Sequence, residues 1–290
     1  MSALKNVSAA DLEYRFKEKI GDHAVSKIRQ RAYVINALCS DLADKDATAL
    51  AHRLMHCSTH KPCKQPFCPM CRHNQQRKFA DKMLAAFSHV PASQLRFLTF
   101  LHSVHYDAAS ISSTLVKRVK RSVRNALNVI NKNNGTSVQL LGSFEIEAFA
   151  ANAILSDRKL LSLKPLGLVE SSNLPFFLLH FHAVVNLGSL SESKLLSMLK
   201  SSAHFPHKYQ VLLQHLHSDK SQDKNLETLA TYMLKFRLQH SQRLKFEDDQ
   251  NQMYKRTCYA SLYEIPIAKA VVMSVNSCKK FNGLSFSYNV

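Results

Sequence analysis

Apolar and polar residues recur along this chain with two different periods, and the places where the period changes mark out the elements. From Ala9 to about Ala51, apolar residues such as Tyr33, Leu38, Leu42 and Leu50 recur among charges at helical spacing, with no proline to interrupt them. The period is lost from His52 to Arg72, where Pro62, Pro66 and Pro69 fall close together. It returns from Arg72 to Val90, with Phe79, Met83, Ala86 and Phe87 forming one apolar stripe of an amphipathic helix. β-formers dominate Leu95 to Leu101, and a second amphipathic helix is expected from about Ala108 to Asn131. The turn residues 131–136 end it, and a strand is expected from Val138 to Ala150. The following 20 or so residues read as loop.

The stretch from Leu174 to Leu187 is almost wholly apolar, the pattern of a central strand covered on both faces. A helix near Ser191 to Ser201, a strand from Tyr209 to His215 and a helix from about Leu226 to His240 follow, and the tail mixes helical and strand-like pieces. This order predicts an α+β fold in which helices flank a central antiparallel sheet, preceded by a helical and a cysteine-rich segment. Four stretches are expected: a helical segment at 1–51, a cysteine-rich segment with its basic helix at 52–90, a sheet-containing domain at 91–245, and a C-terminal segment at 246–290.

Charge narrows the partner. The 290 residues are 46% hydrophobic, enough for a sizeable core, but 39 Lys and Arg face only 21 Asp and Glu, a formal charge of +18. Such an excess implies a polyanion, with nucleic acid, DNA or RNA, as the default. Lys117, Arg118, Lys120, Arg121 and Arg124 concentrate it on one helix and are the candidate DNA-binding residues. No run of about 18 apolar residues exists to cross a membrane, and the N-terminus lacks a signal-peptide core, so a cytoplasmic protein is expected.

Four of the seven cysteines, Cys57, Cys63, Cys68 and Cys71, fall within fifteen residues. In a chain without an export signal, such clustering reads as metal binding, and four thiolates make a closed tetrahedral zinc site with a structural role. The Cys68-Pro69-Met70-Cys71 spacing lets two sulfurs reach one ion, whereas His56 or His60 could stand in for Cys57. Cys39, Cys258 and Cys278 are isolated and expected to be ordinary thiols.

Inside the apolar strand, His180 and His182 flank Phe181 and so point to one face. The other His-x-His pair, His215 and His217, runs out into Ser218-Asp219-Lys220 and reads as a strand end. On the 138–150 strand Glu145 and Glu147 share a face, and if that strand lies beside the histidines one carboxylate joins them. Two imidazoles and a carboxylate would hold Mg2+ or Mn2+ against a phosphate oxygen. Tyr232 and Lys235, three apart on the helix expected from Leu226 to His240, share a face, so a tyrosine nucleophile would have a cation beside it.

In this order the motifs resemble the rolling-circle replication initiators of the HUH endonuclease superfamily, particularly the plasmid Rep type. The resemblance covers about residues 57 to 240 and rests on Cys63-x4-Cys68-Pro69-x-Cys71, Phe97-Leu98-Thr99-Phe100, Phe144-Glu145-Ile146, Leu179-His180-Phe181-His182 and Tyr232-x2-Lys235. It implies a central antiparallel sheet carrying the histidines, and sequence-specific nicking of one DNA strand at an origin. Tyr232 would become linked to the 5′-phosphate, and the freed 3′-hydroxyl would prime a host polymerase, with a host helicase as a further partner. Glu145 fits the family pattern better than Glu147. Where these initiators often place a glutamate four residues before the tyrosine, this chain has Thr228, with Glu227 five before; no second tyrosine lies one turn from Tyr232. A single-strand transposase of the same superfamily and a non-catalytic zinc-containing DNA-binding regulator are the competing readings.

Overall fold

The strand at the centre of the sheet is the one most completely apolar in sequence, because both of its faces must be covered. In a computed structural model that describes residues 22–201, 205–236, 238–247 and 253–290, with side chains left undescribed at 22–28 and 239–262, every residue of β4 (Phe176–Asn186) is buried. On one side it pairs with β1 (Leu95–His105), on the other with β2 (Gln139–Phe149), both antiparallel. β5 (Val211–His215) extends the sheet beyond β1 and β8 (Ser285–Tyr288) beyond β2, giving the order β5-β1-β4-β2-β8. A second antiparallel sheet joins β3 (Ala153–Ile154), β6 (Gln239–Glu247) and β7 (Met253–Leu262).

Register decides the chemistry of each face. Thr99, His182 and Ser143 lie side by side across β1, β4 and β2, and Leu101, His180 and Glu145 form the next row. Residues directly opposite in an antiparallel pair share a face, so this face collects the polar groups while Phe100, Phe181 and Phe144 pack on the other. Gly142 on β2 is required by close approach: a Cβ there would lie 2.2 Å from the His182 carbonyl oxygen and 2.7 Å from the Phe181 ring.

The helices are α1 (Asp22–Leu38), α2 (Lys45–Met55), α3 (Pro69–Phe87), α4 (Ser113–Asn134), α5 (Asp157–Leu163), α6 (Glu192–Ser201), α7 (Gln222–Met233), α8 (Ile265–Ser277) and α9 (Lys280–Leu284). Val123 and Leu127 of α4 and Leu195 and Leu199 of α6 meet Leu98, Phe100, Leu140 and Val185, so these two helices cover the phenylalanine face. The histidine face is covered by α7, against which α3 packs, while α8 lies against β2 and α1. One buried cluster draws on Ile35, Phe87, Phe181 and Val275, so the four stretches marked out by composition share a single core.

Several sequence expectations are corrected here. The helical pattern expected up to about Ala51 is divided, within its described part, between two helices, because Asp44 turns the chain and its carboxylate accepts from the Ala47 amide at 2.9 Å, capping α2. The loop expected after residue 150 contains β3 and α5, the latter capped by Ser156. The helix expected to reach His240 ends at Met233, and β6 begins at Gln239. Nothing in Leu234-Lys235-Phe236 breaks a helix in sequence; the stop is tertiary, with Phe236 in the left-handed region at φ 36° and side chains of α3 taking up the last carbonyls. The C-terminal stretch, expected to mix helical and strand-like pieces, contributes β8, one edge of the five-stranded sheet.

Candidate metal centres and nucleophile

Glu145, His180 and His182 converge through strand register alone. Glu145 Oε2 lies 3.1 Å from His180 Nε2 and 3.5 Å from His182 Nε2, and all three side chains are buried. None of these three atoms has a hydrogen-bond partner of sound geometry. Buried polar atoms left in that condition are costly, and three of them pointing at one spot is the arrangement of ligands around a cation. His182 Nδ1 is 2.9 Å from Thr99 Oγ1, and burial lowers its pKa to about 4, so the ring is neutral; in the tautomer that donates from Nδ1 to Thr99, the Nε2 lone pair faces Glu145. Burial alone would push the Glu145 carboxyl up, but its contacts with His180 and His182 and the Lys235 charge hold it well below the usual range. Glu147 lies behind His180, 3.8 Å from Nδ1 and 3.6 Å from Lys159, so the structure separates the two glutamates that the sequence left close to even.

Tyr232 and Lys235 reach the same place from α7. The Tyr232 ring, partly exposed, stands edge-on to His182 with centroids 5.2 Å apart and edge-on to Phe97 at 5.9 Å, while Phe97 stacks on His182. Lys235 lies past the helix end, in a turn closed by its amide donating to the Tyr232 carbonyl at 3.2 Å, rather than on the same helical face. Its ammonium sits 3.1 Å from Glu145 Oε2 and 4.1 Å from the Tyr232 ring centre. Burial alone would lower the Lys235 pKa, but Glu145 and Tyr232 beside it raise it, so the group is a fixed cation. Glu227 is solvent-exposed and pairs with Lys224 at 3.4 Å, and the Thr228 hydroxyl donates to the Lys224 carbonyl.

The four clustered cysteines form the second centre. Sγ of Cys57 lies 3.6 Å from that of Cys71 and of Cys68, and Cys63 is 3.6 Å from Cys71. A tetrahedron with metal–sulfur bonds near 2.3 Å has edges of about 3.8 Å, so these spacings fit one ion, and they are too long for disulfides. Amides of Cys63 and Lys64 donate to Cys57 and Cys71 sulfurs, each at 3.3 Å, and Cys68 caps α3 ahead of Pro69. Hydrogen bonding from Cys63, with Arg31 nearby, draws the Cys68 thiol down, whereas burial pushes Cys57 up. Cys57, not His56 or His60, completes the set. Cys278 is buried and Cys39 half-buried, and the Cys258 side chain lies outside the described residues.

The two centres are mechanically joined. Arg72, next to Cys71, donates from Nη1 to the carbonyls of Lys235 and Phe236, both at 3.1 Å, and from Nη2 to Gln30 Oε1 at 2.8 Å. Gln76, one turn on, donates to the carbonyls of Thr231 and Leu234 at 3.1 and 3.2 Å. The end of α7 that carries Tyr232 and Lys235 is therefore held by the helix that the cysteines anchor. Neither residue was singled out in sequence, because an Arg and a Gln one turn apart on a basic helix carry no signal of what lies opposite.

The basic residues of α4 are elsewhere. Lys117, Arg118, Arg121 and Arg124 are exposed on a helix that covers the phenylalanine face, so the sheet separates them from His180 and His182. Lys120 is corrected to a structural residue: its ammonium donates to the Gly283 and Ser285 carbonyls, and burial lowers its pKa to about 8. His215 is exposed at the end of β5, near Glu192. No helix among the described residues is long and apolar enough to cross a membrane. Compared with protein-family models, with curated proteins and with solved structures, the chain matches none of them.

Proposed function

We propose that this chain is a nicking and joining enzyme of the HUH type, a plasmid rolling-circle initiator, acting on single-stranded DNA. The observation that carries the reading is the convergence of Tyr232 and Lys235 on three buried ligand atoms, Glu145 Oε2, His180 Nε2 and His182 Nε2, of which the two imidazole nitrogens have no hydrogen-bond donor or acceptor of sound geometry and the carboxylate faces the Lys235 ammonium. Two imidazoles and one carboxylate suit Mn2+ better than Mg2+, which prefers an all-oxygen shell. When bound, the ion would polarise the scissile phosphate as a Lewis acid.

The rest falls to the side chains. Tyr232 Oη, which solvent reaches, attacks phosphorus and gives its proton to water; the phosphorus–O3′ bond breaks, and the leaving oxygen takes up a proton from water as a free 3′-hydroxyl. One phosphodiester replaces another, so the step is reversible and allows rejoining. Lys235, held protonated, offsets charge developing on the phosphate and is unsuited to act as a base. Phe97 and His182 fix the tyrosine ring, limiting the orientations it must give up before attack. Glu227, exposed and paired with Lys224, is not placed to activate a terminating water. The Cys57, Cys63, Cys68 and Cys71 centre suits structural zinc, as four thiolates leave no open position.

The test is to incubate the protein with Mn2+ and single-stranded fragments of the DNA that encodes it, and to look for a covalent adduct on a denaturing gel. An adduct mapped to Tyr232 by mass spectrometry, and lost in Tyr232→Phe and His180→Ala, is expected. Specific duplex binding without any adduct would replace this reading with the non-catalytic regulator.

A further inference from the structure

A cavity of about 410 Å³ opens between α3, α9 and the edge strand β8, beside the candidate site. Its floor is on the histidine side of the sheet: Leu141 shares a face with Ser143 and Glu145, and Ser287 lies opposite Leu141 in the β2–β8 register. Leu234, which shares its wall, immediately precedes Lys235. Along β2 the floor lies four residues from Glu145, or about 13 Å. That is a distance of a few nucleotides along a single strand.

Three kinds of group meet there. Lys78 and Lys82, one turn apart on α3, are exposed at the rim, and neither makes an ion pair with a described residue. Phe79 and Phe281 supply apolar wall, and Gln75 and Asn282 bring amides that can both donate and accept. Cations at the mouth, aromatic and aliphatic wall within, and a few amides and hydroxyls match the three parts of a nucleotide: phosphate, base face and base edge.

We propose that this cavity receives a nucleotide of the single strand, a few positions from the scissile phosphate, with its flanking phosphates on Lys78 and Lys82. The inference rests on the nicking reading and adds to it a route: the strand is drawn along α3 on the histidine side, and the exposed basic residues of α4 take no part in holding it.

Two charge-matched variants test the route in a Tyr232→Phe background without added metal, where no cleavage intervenes. Lys78→Glu/Lys82→Glu is compared with Lys117→Glu/Arg121→Glu for binding of a fluorescent single-stranded oligonucleotide of about eight nucleotides, read by anisotropy. All four residues are exposed, and matching thermal midpoints would verify folding. The first pair is expected to weaken binding about tenfold or more and to lower the salt slope by about 1.4, two phosphate contacts' worth, while the second changes affinity less than about twofold. Equal losses in both variants would reduce the effect to overall charge and overturn the route, as would no loss in the first. A Tyr232 adduct combined with either result would sink the cavity alone. An oligonucleotide held at Lys78 and Lys82 but never joined to Tyr232 would sink the nicking reading instead.

Discussion

Replacing Arg72 with methionine keeps the bulk of the side chain and removes the fork that holds the end of α7. The wild-type guanidinium makes two bonds of 3.1 Å to the Lys235 and Phe236 carbonyls and one of 2.8 Å to Gln30. Bonds from a charged donor contribute about 1.5–3 kcal/mol each, but this end of the helix is half-exposed, so water recovers much of the loss. A net loosening of the turn of about 2 kcal/mol corresponds to roughly 30-fold. The rate of adduct formation should fall by about that much, while oligonucleotide affinity and metal content at the cysteines stay at wild-type levels. The thermal midpoint should drop by only a few degrees for a chain of this size. Arg72→Lys should recover a minor part, because an ammonium cannot bridge two carbonyls with fixed geometry. A stopped or quenched single-turnover assay reads the rate. A rate within about twofold of wild type in Arg72→Met, or a loss mirrored by an equal loss of DNA affinity, would refute the reasoning, since the first leaves nothing to position and the second describes binding.

Metal analysis of protein purified under reducing conditions should find zinc, and Cys68→Ala should lose it together with several kcal/mol of stability, because one sulfur each from Cys57, Cys63 and Cys71 cannot close the tetrahedron. Gly142→Ala should destabilise by about 2 kcal/mol or more in denaturant titration, as its Cβ would meet the His182 carbonyl oxygen at 2.2 Å. His102 has its pKa lowered from 6.5 to about 4 by burial, with His105 and Arg118 adding to it. A histidine kept neutral in the fold contributes stability that is complete above pH 6.5 and is lost as pH falls toward 4, by at most about 3 kcal/mol. Denaturant midpoints between pH 7 and 4 should therefore decline less steeply in His102→Gln than in wild type.

The strands and their faces were largely legible, because a period of two and a buried central run are local properties of the chain. The apolar stretch from Leu174 to Leu187 announced β4, and Phe181 between two histidines placed both imidazoles on one side. The cysteine cluster was legible for a related reason: residues within fifteen positions of one another meet whatever the rest of the fold does. The end of α7 was not, since residues 222 to 240 contain neither Gly nor Pro and the stop at Met233 depends on Arg72 and Gln76, more than 150 residues away. The same holds for α4, whose basic face was plain in sequence but whose place behind the sheet was not.

Local pattern thus carried which elements form and which side chains share a face, because alternation and helical spacing act between near neighbours. Only the tertiary structure set Glu145, rather than Glu147, against both imidazoles, since that turns on a register in which Glu145 lies directly opposite His180 on the neighbouring strand. Only it brought Lys235 to Glu145 and tied the cysteine centre to Tyr232 through Arg72. Pairing register and helix docking are set by contacts between residues far apart in the chain, and the energies that select them appear only when the core closes.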